Sequence, residues 1–393
     1  MRDDAAPGPV TQASAPKAPG RLGREDARTF GGGALNRLDE VRAWMARHDL
    51  DAAYVTRPVS IAYLTGVSAE PYERLMGLAV TPDRATLIVP AIERENAERA
   101  KTDAEIVSWR DGEDAYHLVS QALQGATRLG VEKVHMTVAV AEALRERLHT
   151  REMLDVAPEI RRLRRTKSPL ELENLAHAAA ITDATTEEIL SRLHGGQTEL
   201  EVAIAIGASI GAAGGTLAFD TLALTGSNSA LPHGRPSGQH LGQGDLVLLD
   251  FGAAYEGYCA DTTRVAAVGA PTARQREIHG LVLAAHDAAI DAVRAGATTG
   301  GVDAAARKVI EDAGLGDRFF HRTGHGLGLE AHEDPSLDPG STTVLEVGMV
   351  FTVEPGIYIP GWGGVRIEDD VVVEADGCRL LTNADRSLRT VPR

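Results

Sequence analysis

Two apolar, β-type runs in the C-terminal half of this chain carry carboxylates where burial is expected. VGMVFTVEPGIYIP contains Glu354 and GGVRIEDDVVVEADG contains Glu368. Both read as strands with Pro or Gly at their edges. A carboxylate buried at the end of such a run has to be paired or metal-bound, because a lone desolvated charge is prohibitively costly. Any fold must therefore bring positive charge to these two positions. For Glu368 the plain solution is an ion pair with nearby Arg366.

Two more carboxylates belong to the same problem. LVLLDFGAAYEGYCADTTRVAAVG reads as two strands joined by a turn near Glu256 and Gly257, with Asp250 and Asp261 eleven residues apart across it. Positions nearly symmetric about a hairpin turn face each other, so these carboxylates can converge. By itself an Asp at a strand end is as easily a solvated turn residue or a cap. Four carboxylates in one pocket would repel by about 4 kcal/mol for each pair 4 Å apart at an effective dielectric near 20. Only cations hold such a cluster together, and two divalent ions balance four negative charges. The segment 321-HRTGHGLGLEAHED-334 offers imidazole from His321, His325 and His332. Oxygen ligands with one imidazole and no thiolate suit manganese, cobalt or zinc, and two such ions with a bridging hydroxide form a common hydrolytic arrangement.

The 393 residues are enough for two domains. From Leu35 to about Leu154, amphipathic helical stretches alternate with short apolar runs. RLDEVRAWMARHDL places Leu38, Val41, Trp44, Met45 and Leu50 near one stripe, and DAAYVT and RATLIVPA read as buried strands. This is an α/β layout. A second domain is expected from about Arg161, after which Ser168, Pro169 and Glu171 form a capping box and start a helix running to about His194. Thr198 with Glu201 starts another. Beyond them strands and helices mix without βαβ alternation, which favours an α+β domain on an antiparallel or mixed sheet. The expected division is a tail at 1–33, an N-terminal domain at 34–160 and a catalytic domain at 161–393. The Ala-, Pro- and Gly-rich tail lacks the apolar core of a signal peptide.

The formal charge of −16 argues against nucleic acid as a partner. No apolar run approaches the length of a membrane helix. Cys259 and Cys378 are too few for a disulfide framework, which fits a cytoplasmic protein.

The ordered set Asp250, Asp261, His325, Glu354 and Glu368, carried by LLDFGAAYEGYCADTTR, HRTGHGLGLEAHED, TVEPGIYIP and VRIEDD, resembles the pita-bread metallopeptidases. That family includes prolidases (Xaa-Pro dipeptidases), Xaa-Pro aminopeptidases, methionine aminopeptidases and creatinases. The resemblance covers about residues 161–385, and residues 35–155 more loosely resemble the N-terminal domain of prolidases, Xaa-Pro aminopeptidases and creatinases. It implies that Asp250 binds one metal, His325 and Glu354 bind the other, and Asp261 and Glu368 bridge both. The ions would be manganese, with zinc or cobalt as alternatives. It implies further that the metal-bridged hydroxide attacks the carbonyl preceding proline, while Glu354 shuttles the proton to the leaving nitrogen. His332 would hold the scissile carbonyl or stabilise the tetrahedral intermediate, His233 would assist, and His321 and Arg366 would support substrate or ligands. The glycines around His325 would let the backbone approach metals and substrate.

Creatinases lack the full ligand set, and methionine aminopeptidases usually lack a large N-terminal domain. This leaves the proline-directed branches, with a prolidase favoured because the chain is compact and an Xaa-Pro aminopeptidase as the alternative. Loss of catalysis in favour of a binding role is the remaining reading, and the intact ligand set argues against it. By analogy a homodimer is expected. Two rival motifs are weaker. The stretch 207-GASIG-211 matches a nucleophile elbow centred on Ser209, but its surroundings are helical where the elbow needs a strand, a sharp turn and a helix. The glycines of GHGLGLE lack the strand-to-helix context of a nucleotide loop.

Overall fold

The computed structural model describes residues 37–393. The tail expected at 1–33 lies outside them.

Six strands form one mixed sheet in the order Glu105–Trp109, Ala85–Pro90, Gly77–Val80, Ala52–Val55, Arg128–Val131 and Glu152–Asp155. Alternate residues go to opposite faces. Ala53, Val55, Leu78, Val80, Leu87 and Val89 join the core under helix Arg37–Arg47. Ala52, Tyr54, Ala79 and Ile88 join the core under helices Ala115–Ala122 and Val138–Leu148. Burial on both faces is why DAAYVT and RATLIVPA read as unbroken apolar runs. The expected helical stripe of Leu38, Val41, Trp44, Met45 and Leu50 is buried. The basic run ends helix Ala157–Arg165, whose Ile160 belongs to the N-terminal core.

Helix α1 (Pro169–Arg192) then opens on the anticipated capping box. Ser168 Oγ accepts from the Glu171 amide at 3.4 Å, and Glu171 Oε2 accepts from the Ser168 amide at 2.8 Å. Helix α2 (Glu199–Ala212) starts the same way at Thr198 and Glu201. A Ser168→Ala substitution should cost about 1 kcal/mol in chemical denaturation. An unchanged midpoint would mean that tertiary packing alone fixes where α1 begins.

The domain is built from two similar halves. In the first, α1 and α2 lead to strands β1 (Leu246–Phe251) and β2 (Thr262–Val268), inside a four-stranded sheet with Leu222–Thr225 and Arg389–Val391. In the second, α3 (Ala273–Ala292) and α4 (Thr299–Asp312) lead to β3 (His325–Gly326), β4 (Val350–Val353) and β5 (Asp369–Glu374), inside a five-stranded sheet. A third capping box, Thr272 with Gln275, starts α3, and α4 begins at Thr299, a hundred residues after α2 begins at Glu199. Helices pack on the sheets through two apolar clusters, around Ile278 and Phe351 and around Ile206 and Phe251. The halves join where Thr263 of β2 bridges Glu368, just before β5. The result is an α/β N-terminal domain and an α+β C-terminal domain. Among the described residues no helix is long and apolar enough to cross a membrane.

Candidate metal centre

The hairpin expected around Asp250 and Asp261 forms, with its turn at Glu256 and Gly257, both at positive φ. It is not one pair of strands. The β1–β2 ladder stops at Phe251↔Thr262, and a separate short ladder pairs 253–255 with 258–259. At the break Gly252 lies so close to the facing chain that a Cβ there would sit 1.7 Å from the Ala260 carbonyl oxygen. Asp250 consequently faces Thr263 across the ladder, and Asp261 lies on the diagonal, where the Asp250 carboxylate makes its ionisation harder. The Asp261 amide donates to Asp370 Oδ2 at 2.9 Å.

His325 comes from β3, which threads between Glu333–Ser336 and β4. Two of the glycines beside it are required by packing. A Cβ at Gly324 would meet the Thr352 carbonyl oxygen at 1.9 Å, and one at Gly326 would meet that of Asp334 at 2.2 Å. They admit neighbouring backbone and so wedge β3 into the sheet. The ring's Nδ1 lies 3.2 Å from the Gly326 carbonyl oxygen, which can only accept, so the proton sits on Nδ1 and the Nε2 lone pair faces the carboxylates. Nε2 is 3.2 Å from Glu354 Oε1 and 4.0 Å from Asp261 Oδ2. Burial pushes the imidazole down to about 3, which keeps it neutral.

Glu354 follows β4, with its Oε1 accepting from Thr352 Oγ1 at 3.2 Å. Glu368 accepts from the Thr263 hydroxyl. Arg366 is buried among these groups. It pairs with Asp250, donates to Tyr358 Oη at 2.8 Å and to Thr263 Oγ1 at 2.9 Å, and leaves Glu368 Oε2 at 3.8 Å and Glu354 Oε2 at 4.0 Å from its Nε. The plain ion pair of Glu368 with Arg366 is therefore subordinate to the pair with Asp250.

Four carboxylates around one guanidinium leave three negative charges if all are ionised. Burial first, and then the neighbouring carboxylates, hold Asp261 and Glu368 well above the ordinary carboxyl range. Asp250 is raised by burial against the pull of Arg366, and Glu354 by burial to about 7. These groups fit a cation. Asp261 Oδ1 is buried without a hydrogen-bond partner, and ligand atoms of Asp261, His325 and Glu368 lie within 4.8 Å of one another. A neutral imidazole lone pair aimed at carboxylate oxygens is unfavourable until a cation stands between them.

The other expected residues surround this centre. The His332 ring lies 4.1 Å from that of His325 and lines a cleft of about 210 Å³ with Arg57, Arg161, Arg322 and Asp334. His233 is exposed on the loop after Ala230 and is felt electrostatically by both His321 and His332. His321 has both nitrogens engaged, Nδ1 with the Arg322 carbonyl at 2.7 Å and Nε2 with Tyr358 Oη at 3.1 Å. Tyr358, Thr263, Thr352 and Asp370 escaped the sequence reading. Asp370 had a usable signal, since it stands two residues after Glu368 on an apolar run and so shares its face. Ser209 lies inside α2 and donates to Glu188 at 2.7 Å. The larger groove beside it, about 340 Å³, holds no histidine, and Ser209 stands in mid-helix rather than on a strand-to-helix turn, which argues against the nucleophile-elbow reading.

Residues 173–375 match the model of metallopeptidase family M24, and residues 37–166 match that of the creatinase/prolidase N-terminal domain. An Xaa-Pro dipeptidase of Lactobacillus delbrueckii subsp. lactis is 37% identical over 363 residues, covering 90% of this chain and 99% of that protein. The solved Xaa-Pro dipeptidase of Bacillus anthracis superposes with a TM-score of 0.85 at 35% identity, covering 90% of this chain and 99% of that one. The X-Pro aminopeptidase of Thermotoga maritima gives 0.83 at 30%, covering 91% and 100%.

Proposed function

The chain belongs to metallopeptidase family M24 and has the pita-bread fold, and on that footing we propose that it is an Xaa-Pro dipeptidase whose Asp250, Asp261, His325, Glu354 and Glu368 hold two divalent cations. The observation that carries the proposal is the meeting of four carboxylates, three buried and Glu354 nearly so, with one unprotonated imidazole nitrogen around a single guanidinium. The charge deficit is what a pair of divalent ions, manganese by preference, would offset.

Bound there, such ions supply a hydrolytic nucleophile at neutral pH and Lewis acidity towards a carbonyl. The protein's own groups do the rest. Glu354 has the most accessible side chain of the five, 13% exposed against 11% for Asp250 and 7% or less for the others, so it is best placed to carry a proton to the proline nitrogen. His332, beside His325 and open to the cleft, donates to the oxyanion that develops on the scissile carbonyl. His233, within electrostatic reach of His332, assists it. Arg366 orients Asp250 and, through Thr263, Glu368. His321 holds Tyr358 and thereby Arg366, a positioning role, because neither of its nitrogens is free for substrate.

The dipeptidase reading draws support from the relative and the Bacillus structure described above. The likeness to the Thermotoga aminopeptidase keeps action on longer peptides as the second reading. Chelation followed by Mn²⁺ reconstitution distinguishes these. Activity should vanish and return, with kcat/KM for an Xaa-Pro dipeptide roughly tenfold or more above that for Xaa-Pro-Yaa. Equal or better turnover of the tripeptide would make it an aminopeptidase, and a protein that takes up no divalent metal would point to a binding role. The proposal extends to a homodimer, which a monomer mass by light scattering would remove.

A further inference from the structure

Glu199 is a carboxylate with 0% exposure and no cation within 4.0 Å among the described residues. Its oxygens accept from the Thr225 amide at 2.8 Å, Asn228 Nδ2 at 3.1 Å, the Ser237 amide at 3.0 Å and the Ser237 hydroxyl at 2.6 Å. All these donors lie on or at the ends of the segment 225–237, which carries His233. Glu199 itself is the first residue of α2, fixed by the capping box at Thr198. The segment is also tied to the short strand Gly363–Arg366, which ends on Arg366, because Ser229 Oγ accepts from the Gly364 amide at 2.8 Å.

His233 makes no side-chain hydrogen bond of its own among the described residues, and it is exposed. Its position is therefore set by the backbone of this loop, which holds it within electrostatic reach of His321 and His332. The loop in turn is closed by a bare carboxylate that satisfies four donors at once. A Gln in its place would turn an Nε2 donor towards other donors. We propose that Glu199 is a positioning residue for His233, setting the geometry of one side of the peptide site without touching substrate or metal ligands. The inference rests on the role given to His233 above.

Five variants of the full-length, Mn²⁺-loaded protein test it: Glu199→Gln, Ser237→Ala, His233→Ala, Ser237→Ala/His233→Ala and the double variant Glu199→Gln/His233→Ala. Glu199→Gln should lower kcat/KM for an Xaa-Pro dipeptide by about ten- to hundredfold, the scale of a misplaced functional group, with calorimetric Mn²⁺ affinity unchanged. The double variant should be no worse than His233→Ala alone. A purely structural role would instead give losses that multiply, or a fall in Mn²⁺ affinity in step with activity, and either overturns the inference. So does a Glu199→Gln protein as active as wild type. Should Glu199→Gln fail to fold, Ser237→Ala, which removes one of the four donors, must show a smaller loss that likewise disappears in the His233→Ala background. A fully active His233→Ala protein would sink the reading of His233 and this inference together. An impaired His233→Ala beside an unimpaired Glu199→Gln removes the inference alone.

Discussion

Asp261→Asn should abolish hydrolysis and at the same time stabilise the metal-free protein. The first effect follows from the proposed bridging position. Without that oxygen pair the cations are not held, and bound cations are what bring the pKa of water from about 15.7 to about 7, so a loss of roughly 10³-fold or more is expected. The second follows from the charge balance. Asp261 is buried beside Glu368, Asp250, Asp370 and Glu354, each of which makes its ionisation harder. Replacing it with a neutral isostere removes repulsion that only a cation otherwise offsets, a gain of ~1–2 kcal/mol at an effective dielectric near 20 once partial protonation is allowed for. Thermal melts with and without chelator, together with metal analysis, read both effects. Full Mn²⁺ uptake by the variant, or turnover within tenfold of wild type, would remove Asp261 from the centre. A stripped variant less stable than stripped wild type would contradict the repulsion.

The metal-free protein should also lose stability as pH rises, against the usual acid-denaturation trend. The folded-state carboxyls of Asp261, Glu368 and Glu354 are all raised, Glu354 to about 7 from an ordinary 4.5. Below about pH 4 both the folded and the unfolded chain hold these protons. Between there and pH 7 the unfolded chain releases them while the folded site keeps them, so unfolding liberates protons and is favoured by each step upward. At about 1.4 kcal/mol per unit, Glu354 alone contributes ~3 kcal/mol that is present near pH 4 and gone above pH 7. Asp369 works in the opposite sense. Arg264, His286 and Arg386 hold its carboxyl well below the ordinary range despite burial, and its contribution is lost only in acid. The difference between stripped and Mn²⁺-loaded melting curves isolates the cluster, because metal ligation requires the deprotonated forms and grows with pH. The gap should widen steadily from pH 5 to 8. A constant gap would mean that the carboxyls titrate normally.

What the chain announced about itself was mostly local. Ser168 and Thr198 each sit three residues before a Glu, and both helices start there, because a capping box is satisfied within four residues of sequence. The proposed ligands were legible for a different reason. A carboxylate in an apolar strand is expensive enough to demand an explanation, and Glu354 and Glu368 both ended up buried or nearly so in one cluster. The rest required partners far away in the chain. Nothing near Gly252 shows that a carbonyl eight residues later will press against it, split the hairpin and move Asp261 to the diagonal. Helix α4 has glycines in its first turn, a poor helical signal, yet Gly300 is there because the backbone of Ser341 passes where a Cβ would be, 2.4 Å from the Ser341 carbonyl oxygen. Glu199 reads as an ordinary first-turn acid, and only the folded loop reveals four donors converging on it.

The doubled architecture of the C-terminal domain divides the proposed ligands unequally. Asp250 and Asp261 lie on one helix-pair-and-sheet unit, and His325, Glu354 and Glu368 belong to the other, with Thr263 and Glu368 touching across the join. Two copies of the first unit would offer four aspartates and no nitrogen, while two copies of the second would offer four glutamates and two imidazoles. Neither reproduces the proposed donor set, so the proposed cation site is a property of the inequality between the units rather than of either one.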